Sequence, residues 1–198
     1  MSAAVSVQDG ASRGESRRNS PLPHGLFGML VFVLTEMMFF AGLISAFVVV
    51  KAAAPIWPPP DQPRLPVEAT ALNTLALILS GVMILLAHRA FHKGDRTNTR
   101  RFVLGTLLLG TIFVIFQGRE WVALLSEGLT LVSSSLGSFF YLIVGIHALH
   151  AAAALCLLFF AAFRLQRGWL TPGLFGAAEI LWLFVVGVWP FLYSVVYL

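Results

Sequence analysis

Charge is scarce in this chain. Only 11% of its 198 residues are charged and 58% are hydrophobic, with a mean hydropathy of +0.86. A soluble domain carries about 25% charge, so the composition excludes an ordinary water-soluble globule. Cysteine is nearly absent. Cys156 stands alone, which excludes an internal disulfide, and its place in an apolar run predicts inert packing. No Walker sequence, dinucleotide loop or nucleophile elbow occurs, and no complete catalytic site can be assembled. No internal repeat is visible, so an inverted-repeat transporter has no support. The first twenty residues are polar and lack an apolar core before a cleavage site, so no cleaved signal peptide is expected. Residues 1–24 read as a disordered polar tail.

What the chain has instead is long apolar runs. Five are long enough to cross a bilayer, since ~30 Å of hydrocarbon at 1.5 Å per residue needs about 20 residues. They cover roughly 25–50, 69–87, 102–125, 136–163 and 173–198. Their length and continuity fit helices, which satisfy their own backbone in lipid, and not the ~10-residue alternation of barrel strands. The expected fold is all-α, a five-helix transmembrane domain over residues 25–198.

The net charge of +4 follows from topology and gives no reason to expect nucleic acid as a partner. Ten of the 13 basic residues fall on one side of an alternating five-span arrangement: Arg13, Arg17 and Arg18, then Arg89, Lys93, Arg96, Arg100 and Arg101, then Arg164 and Arg167. Lys51, Arg64 and Arg119 fall on the other. The positive-inside rule then predicts a cytoplasmic N-terminus and an external C-terminus. The first connection, with Trp57-Pro58-Pro59-Pro60, should be a stiff external loop. The second, His88–Arg101, should be a short charged loop, and the third, Ser126–Ser135, a polar turn.

A few polar residues interrupt the runs. Glu36 lies near the middle of the first, where a carboxylate costs roughly 3 kcal/mol or more. Hydrogen bonding across helices and proton handling are both open for it. Gln117, Glu120 and Trp121 share one face at i, i+3, i+4 spacing. His147 and His150 are i, i+3 in the fourth run. That spacing cannot put two imidazoles on opposite sides of a haem iron, and no further ligands complete a metal site, so interhelical hydrogen bonding is the better reading. A short third connection makes the third and fourth helices antiparallel neighbours, and Glu120 with His147 is the expected pair. Gly137, Gly145 and Ala151–Ala154 give the fourth helix a small-residue surface for close approach to another helix. Asn73 and Thr74 are placed to cap or bridge. Trp182 and Trp189, seven apart, share a face and should pack on neighbours. Pro190 should kink the last helix, and Tyr193 and Tyr197 should sit in an aromatic belt.

Taken together these residues resemble subunit III of the haem–copper terminal oxidases. The likeness is carried by Glu36 with Phe39-Phe40-Ala41-Gly42, Trp57-Pro58-Pro59, Leu72-Asn73-Thr74, Gln117-Gly118-Arg119-Glu120-Trp121, and Gly137-Ser138-Phe139-Phe140-Tyr141 with Gly145, His147 and His150. Two departures stand out. The family's last helix usually has His and Asp between two tryptophans; here Leu183 and Val186 take those places, and Glu179 lies one turn earlier. The chain also has five spans where the long form has seven, as a short-form branch would. The resemblance implies an accessory subunit without haem or copper of its own. It implies packing against a catalytic subunit I that holds those cofactors, alongside a copper-site subunit II, with phospholipid bound in clefts and support for proton uptake. An accessory protein of nitric oxide reductase and a quinol oxidase subunit III are near alternatives. An independent proton or ion transporter is an alternative of another class.

Overall fold

The computed structural model describes residues 24–59 and 63–198. The polar tail, and Pro60 with its two successors in the first connection, lie outside the described residues. The chain forms five helices, α1 (His24–Ala53), α2 (Val67–His92), α3 (Arg96–Ser126), α4 (Ser135–Gln166) and α5 (Pro172–Leu192), with a π-helical turn over Tyr193–Tyr197. All five are long and apolar enough to cross a membrane.

The helices overrun the apolar segments at several ends. The expected loop His88–Arg101 shrinks to the three residues between α2 and α3, because helix continues through Arg96, Asn98 and Arg101. Lipid requires only that the hydrocarbon-embedded turns be apolar; polar turns can protrude. Asp95 starts α3 as its N-cap. Its Oδ1 accepts from the Asn98 backbone N–H at 3.0 Å and its Oδ2 from Asn98 Nδ2 at 2.6 Å. Ser134 caps α4 in the same way, and Thr171 with Pro172 opens α5.

Which faces turn inward is set by size and polarity more than by hydrophobicity. On α2 the buried residues include Thr70, Asn73, Thr74, Ser80, Gly81 and Ala87, while Leu72, Leu75 and Leu79 are exposed. Lipid is as apolar as leucine, so helices associate through close packing and polar contacts. α5 is the centre, packed against α1, α2 and α4. Trp182 and Trp189 are both fully buried, as their shared face predicts. Trp182 Nε1 donates to Ser80 Oγ at 3.1 Å and Trp189 Nε1 to Thr74 Oγ1 at 2.8 Å. Asn73 Nδ2 reaches the Phe113 carbonyl at 3.1 Å, joining α2 to α3. Each such bond contributes on average about 0.6 kcal/mol in a membrane, so their number matters more than any one.

Several expectations are corrected. Cys156 is exposed on the bundle's perimeter instead of packed inside. Tyr197 is 7% exposed and sits inside the bundle, because the π-helical turn carries it back over α3 and α4, where it meets Gln117 and Phe140. Gly137 faces the Thr130–Ser133 connection and not another helix. The closest helix approaches fall instead at Gly81, under Val186, and at Gly110, under Trp182. The kink expected at Pro190 is not among these corrections: α5 includes the proline and passes into the π-helical turn at Tyr193. α1 is the least embedded helix, with Phe40 and Phe47 alone buried among its described residues.

Two outcomes test this account. A Cβ at Gly110 would lie 2.5 Å from Trp182 Cη2, and the indole is pinned by Ser80. Gly110→Ala should therefore destabilise the bundle by about 1–3 kcal/mol, the usual cost of overpacking, read as a lower unfolding temperature in detergent. The hydrogen bonds to Asn98, its backbone N–H first, hold the Asp95 carboxyl below its ordinary value of 3.8. A depressed folded value means the capping contribution is present above the ordinary value and lost as pH falls through the lowered one. Asp95→Asn should abolish that part of the acid dependence, seen by comparing unfolding of the two proteins from neutral pH down to the carboxylate range.

Candidate functional site

The polar residues fall into three groups at different depths. The first joins α1 to α4. Glu36 Oε2 lies 3.2 Å from His150 Nε2, with the Glu36 side chain 20% and the His150 side chain 13% exposed. His150 Nδ1 is 2.8 Å from the carbonyl of Ile146. A carbonyl can only accept, so Nδ1 carries a hydrogen and Nε2 is the atom left to face Glu36. For that contact to be attractive a proton must sit between Oε2 and Nε2. A carboxylic acid against neutral imidazole and a carboxylate against imidazolium both provide it, and both leave the pair without net charge. Phe32, Phe40 and Phe184 surround the imidazole, with ring centroids 6.2, 5.7 and 5.8 Å away.

The second group lies at the end of the bundle that carries the α1–α2 connection. Glu120 Oε2 accepts from Gln117 Nε2 at 3.1 Å and lies 2.8 Å from Thr70 Oγ1. Gln117 Nε2 also donates to Tyr197 Oη at 3.0 Å. Thr70 Oγ1 is 2.8 Å from the Pro66 carbonyl as well. With one hydroxyl proton Thr70 can donate to only one of these acceptors at a time. Both contacts are filled together only when Glu120 carries a proton.

The third group lies at the opposite end. Glu179 Oε2 is 2.7 Å from His88 Nδ1, and the His92 ring is 4.4 Å from that of His88. This is the polar contact of Glu179; its partner comes from α2.

The expected Glu120–His147 pair does not form. Glu120 is taken by Thr70 and Gln117, and neither ring nitrogen of His147 has a hydrogen-bond partner among the described residues. Although i, i+3, the two histidines serve different sides of α4. His150 turns to α1, and His147 lies at 5.0 Å from the Trp189 ring. Gly145 abuts Trp121, where an added Cβ would be 3.5 Å from the indole. Val186, in the place where the resemblance leads one to expect Asp, is seated on Gly81 in an apolar contact. Thr70, Ser80 and His88 were not singled out in the sequence. The signal that could have found Thr70 and Ser80 is the recurrence of small polar residues once per one or two turns on one face of α2. Among the described residues no group of three or more His, Cys, Asp or Glu is arranged to hold a metal.

These features define a polytopic helical membrane protein in which Glu36, Glu120 and Glu179 each meet a side chain of another helix. The family model of cytochrome c oxidase subunit III matches residues 7–198. A probable cytochrome c oxidase subunit 3 of Mycobacterium leprae is 36% identical over 174 residues, covering 86% of this chain and 85% of that one. Its counterpart in Nocardia farcinica is 34% identical over 173 residues, with the same coverage. A cytochrome c oxidase subunit 3 of Pelomedusa subrufa is 34% identical over 180 residues, 86% of this chain but 68% of that longer one. The chain belongs to the cytochrome c oxidase subunit III family, and is an accessory subunit of a haem–copper oxidase and a multi-pass inner-membrane protein.

The Glu36–His150 geometry makes a sharp distinction between two substitutions. Glu36→Gln keeps an N–H that can donate to Nε2, so stability should change by less than about 1 kcal/mol. His150→Phe leaves the carboxyl unpaired and should cost about 1–3 kcal/mol. Thermal unfolding of the two variants in the same detergent checks the order.

Proposed function

We propose that the chain packs against the catalytic subunit I of the oxidase, next to the copper-site subunit II, stabilises it, and supports proton uptake through Glu36. Haem and copper belong to those partners in this reading. The observation that carries it is the Glu36–His150 contact: a titratable pair at mid-helix, on the least embedded helix, whose attraction depends on one shared proton. Its place on α1 leaves it near a face that another subunit can cover. The apolar cleft between α1 and α5, of about 530 Å³ and lined by Met37, Phe40, Ile44, Leu183, Phe184 and Phe191, suits a phospholipid acyl chain. The basic residues at the α2–α3 and α4–α5 connections support an N-terminus in the cytoplasm and a C-terminus outside.

Purification in mild detergent through a tag on this chain should recover haem–copper subunits I and II with it. Recovery of the chain alone would sink the proposal. In the recovered complex Glu36→Gln should assemble normally, with slower proton uptake or a several-fold shorter turnover lifetime. Loss of assembly would assign Glu36 a structural role instead.

A further inference from the structure

Four buried side-chain atoms have no hydrogen-bond partner among the described residues, and they belong to one place: Gln117 Oε1, Trp121 Nε1, and both Nδ1 and Nε2 of His147. Their three residues line a single cavity of about 120 Å³ between α3 and α4, floored by Trp189. Gln117 is 4% and His147 1% exposed. Phe113, Val114, Val144 and the small residues complete the wall, and none of them offers a side-chain partner. The unmet needs are of both kinds. The indole N–H is a donor, the amide oxygen is an acceptor, and a neutral imidazole supplies one of each. A lipid chain can fill the volume and meets none of these needs. Water meets both kinds, and requires roughly 10–15 Å³ of such space with 2–4 polar partners.

We propose that this cavity is an internal hydration site, in which ordered water joins Gln117, Trp121 and His147. Through Gln117 Nε2 the site is continuous with Glu120 and Tyr197. It is distinct from the Glu36–His150 contact, since neither of those residues lines the cavity. The water gives His147 the partners that the sequence leads one to expect from Glu120.

Radiolytic hydroxyl-radical labelling of the intact purified oxidase in H₂¹⁸O tests this, because radicals formed from bound water mark the residues touching it. Trp182 is the dry control, fully buried and bonded to Ser80, and Trp169, 62% exposed, reports bulk water. His147 should be oxidised several-fold faster than Trp182, with ¹⁸O entering more slowly than at Trp169. Val114→Phe should suppress His147 labelling to the level of Trp182; Val114 lines the cavity from α3. Ala148→Leu serves the same purpose from α4. His147 labelling no faster than that of Trp182, as an acyl chain in the cavity would give, overturns the proposal. Labelling unchanged by the cavity-filling variants also overturns it. If neither variant assembles, the contrast between His147 and Trp182 in the wild type decides.

Discussion

A polar side chain embedded in hydrocarbon has only protein, or a water trapped with it, to bond to. That constraint organises the bundle. An unmet buried polar group costs about 1–3 kcal/mol, more than an interhelical hydrogen bond returns, at about 0.6 kcal/mol on average. The stronger pressure is therefore to leave nothing unpaired. The two buried tryptophans of α5 each bring an N–H into the core, and α2 meets them with Ser80 and Thr74. Tyr193 reaches the Val67 carbonyl and Tyr197 accepts from Gln117, so the end of α5 is tied to α2 and α3. These contacts fix the rotation of α5 about its axis, which apolar packing in lipid would leave weakly determined.

Close approach supplies the other half of the specification. Trp182 lies across Gly110 and Val186 across Gly81, so glycines on α3 and α2 receive the bulk of α5. The family's His and Asp between the two tryptophans are replaced here by Leu183 and Val186. Val186 has a packing role on Gly81, and the carboxyl of this helix, Glu179, meets His88 of α2.

The spans, their number and the all-helical class were legible in the sequence, because twenty apolar residues in a row leave lipid few alternatives. The helix ends were less so. Hydropathy marks where hydrocarbon stops and says nothing about where a helix stops, so α3 begins at Arg96 under the Asp95 cap and not at Phe102. Glu36, Gln117 and Glu120 could be picked out as polar residues out of place. Their partners could not, because pairing depends on helix rotation and depth together. Glu120 and His147 lie on neighbouring helices, yet Thr70 claims the carboxyl from α2. The spacing puts His147 and His150 near one face of α4, where Phe40 meets both rings, yet His150 alone of the two reaches Glu36. The polar stripe of α2 was present in the sequence as Thr70, Asn73, Thr74 and Ser80, and would have identified the inward face.

The position of Glu36 follows from how α1 is held. Among the described residues of that helix Phe40 and Phe47 alone are buried, seven residues apart on one stripe, and Glu36 lies one turn before Phe40 on the same side. That register brings the carboxyl to α4 at His150 and leaves the remaining face of α1 apolar and open. A carboxylate there with no partner would pull the helix toward water or require a proton from the medium. With His150 held by the Ile146 carbonyl in the one tautomer that offers Nε2, a single shared proton neutralises both groups. This arrangement makes the carboxyl tolerable in lipid without a change in the register of α1. A structural contact and a proton-handling contact at this site share one geometry, and differ only in whether the shared proton ever leaves.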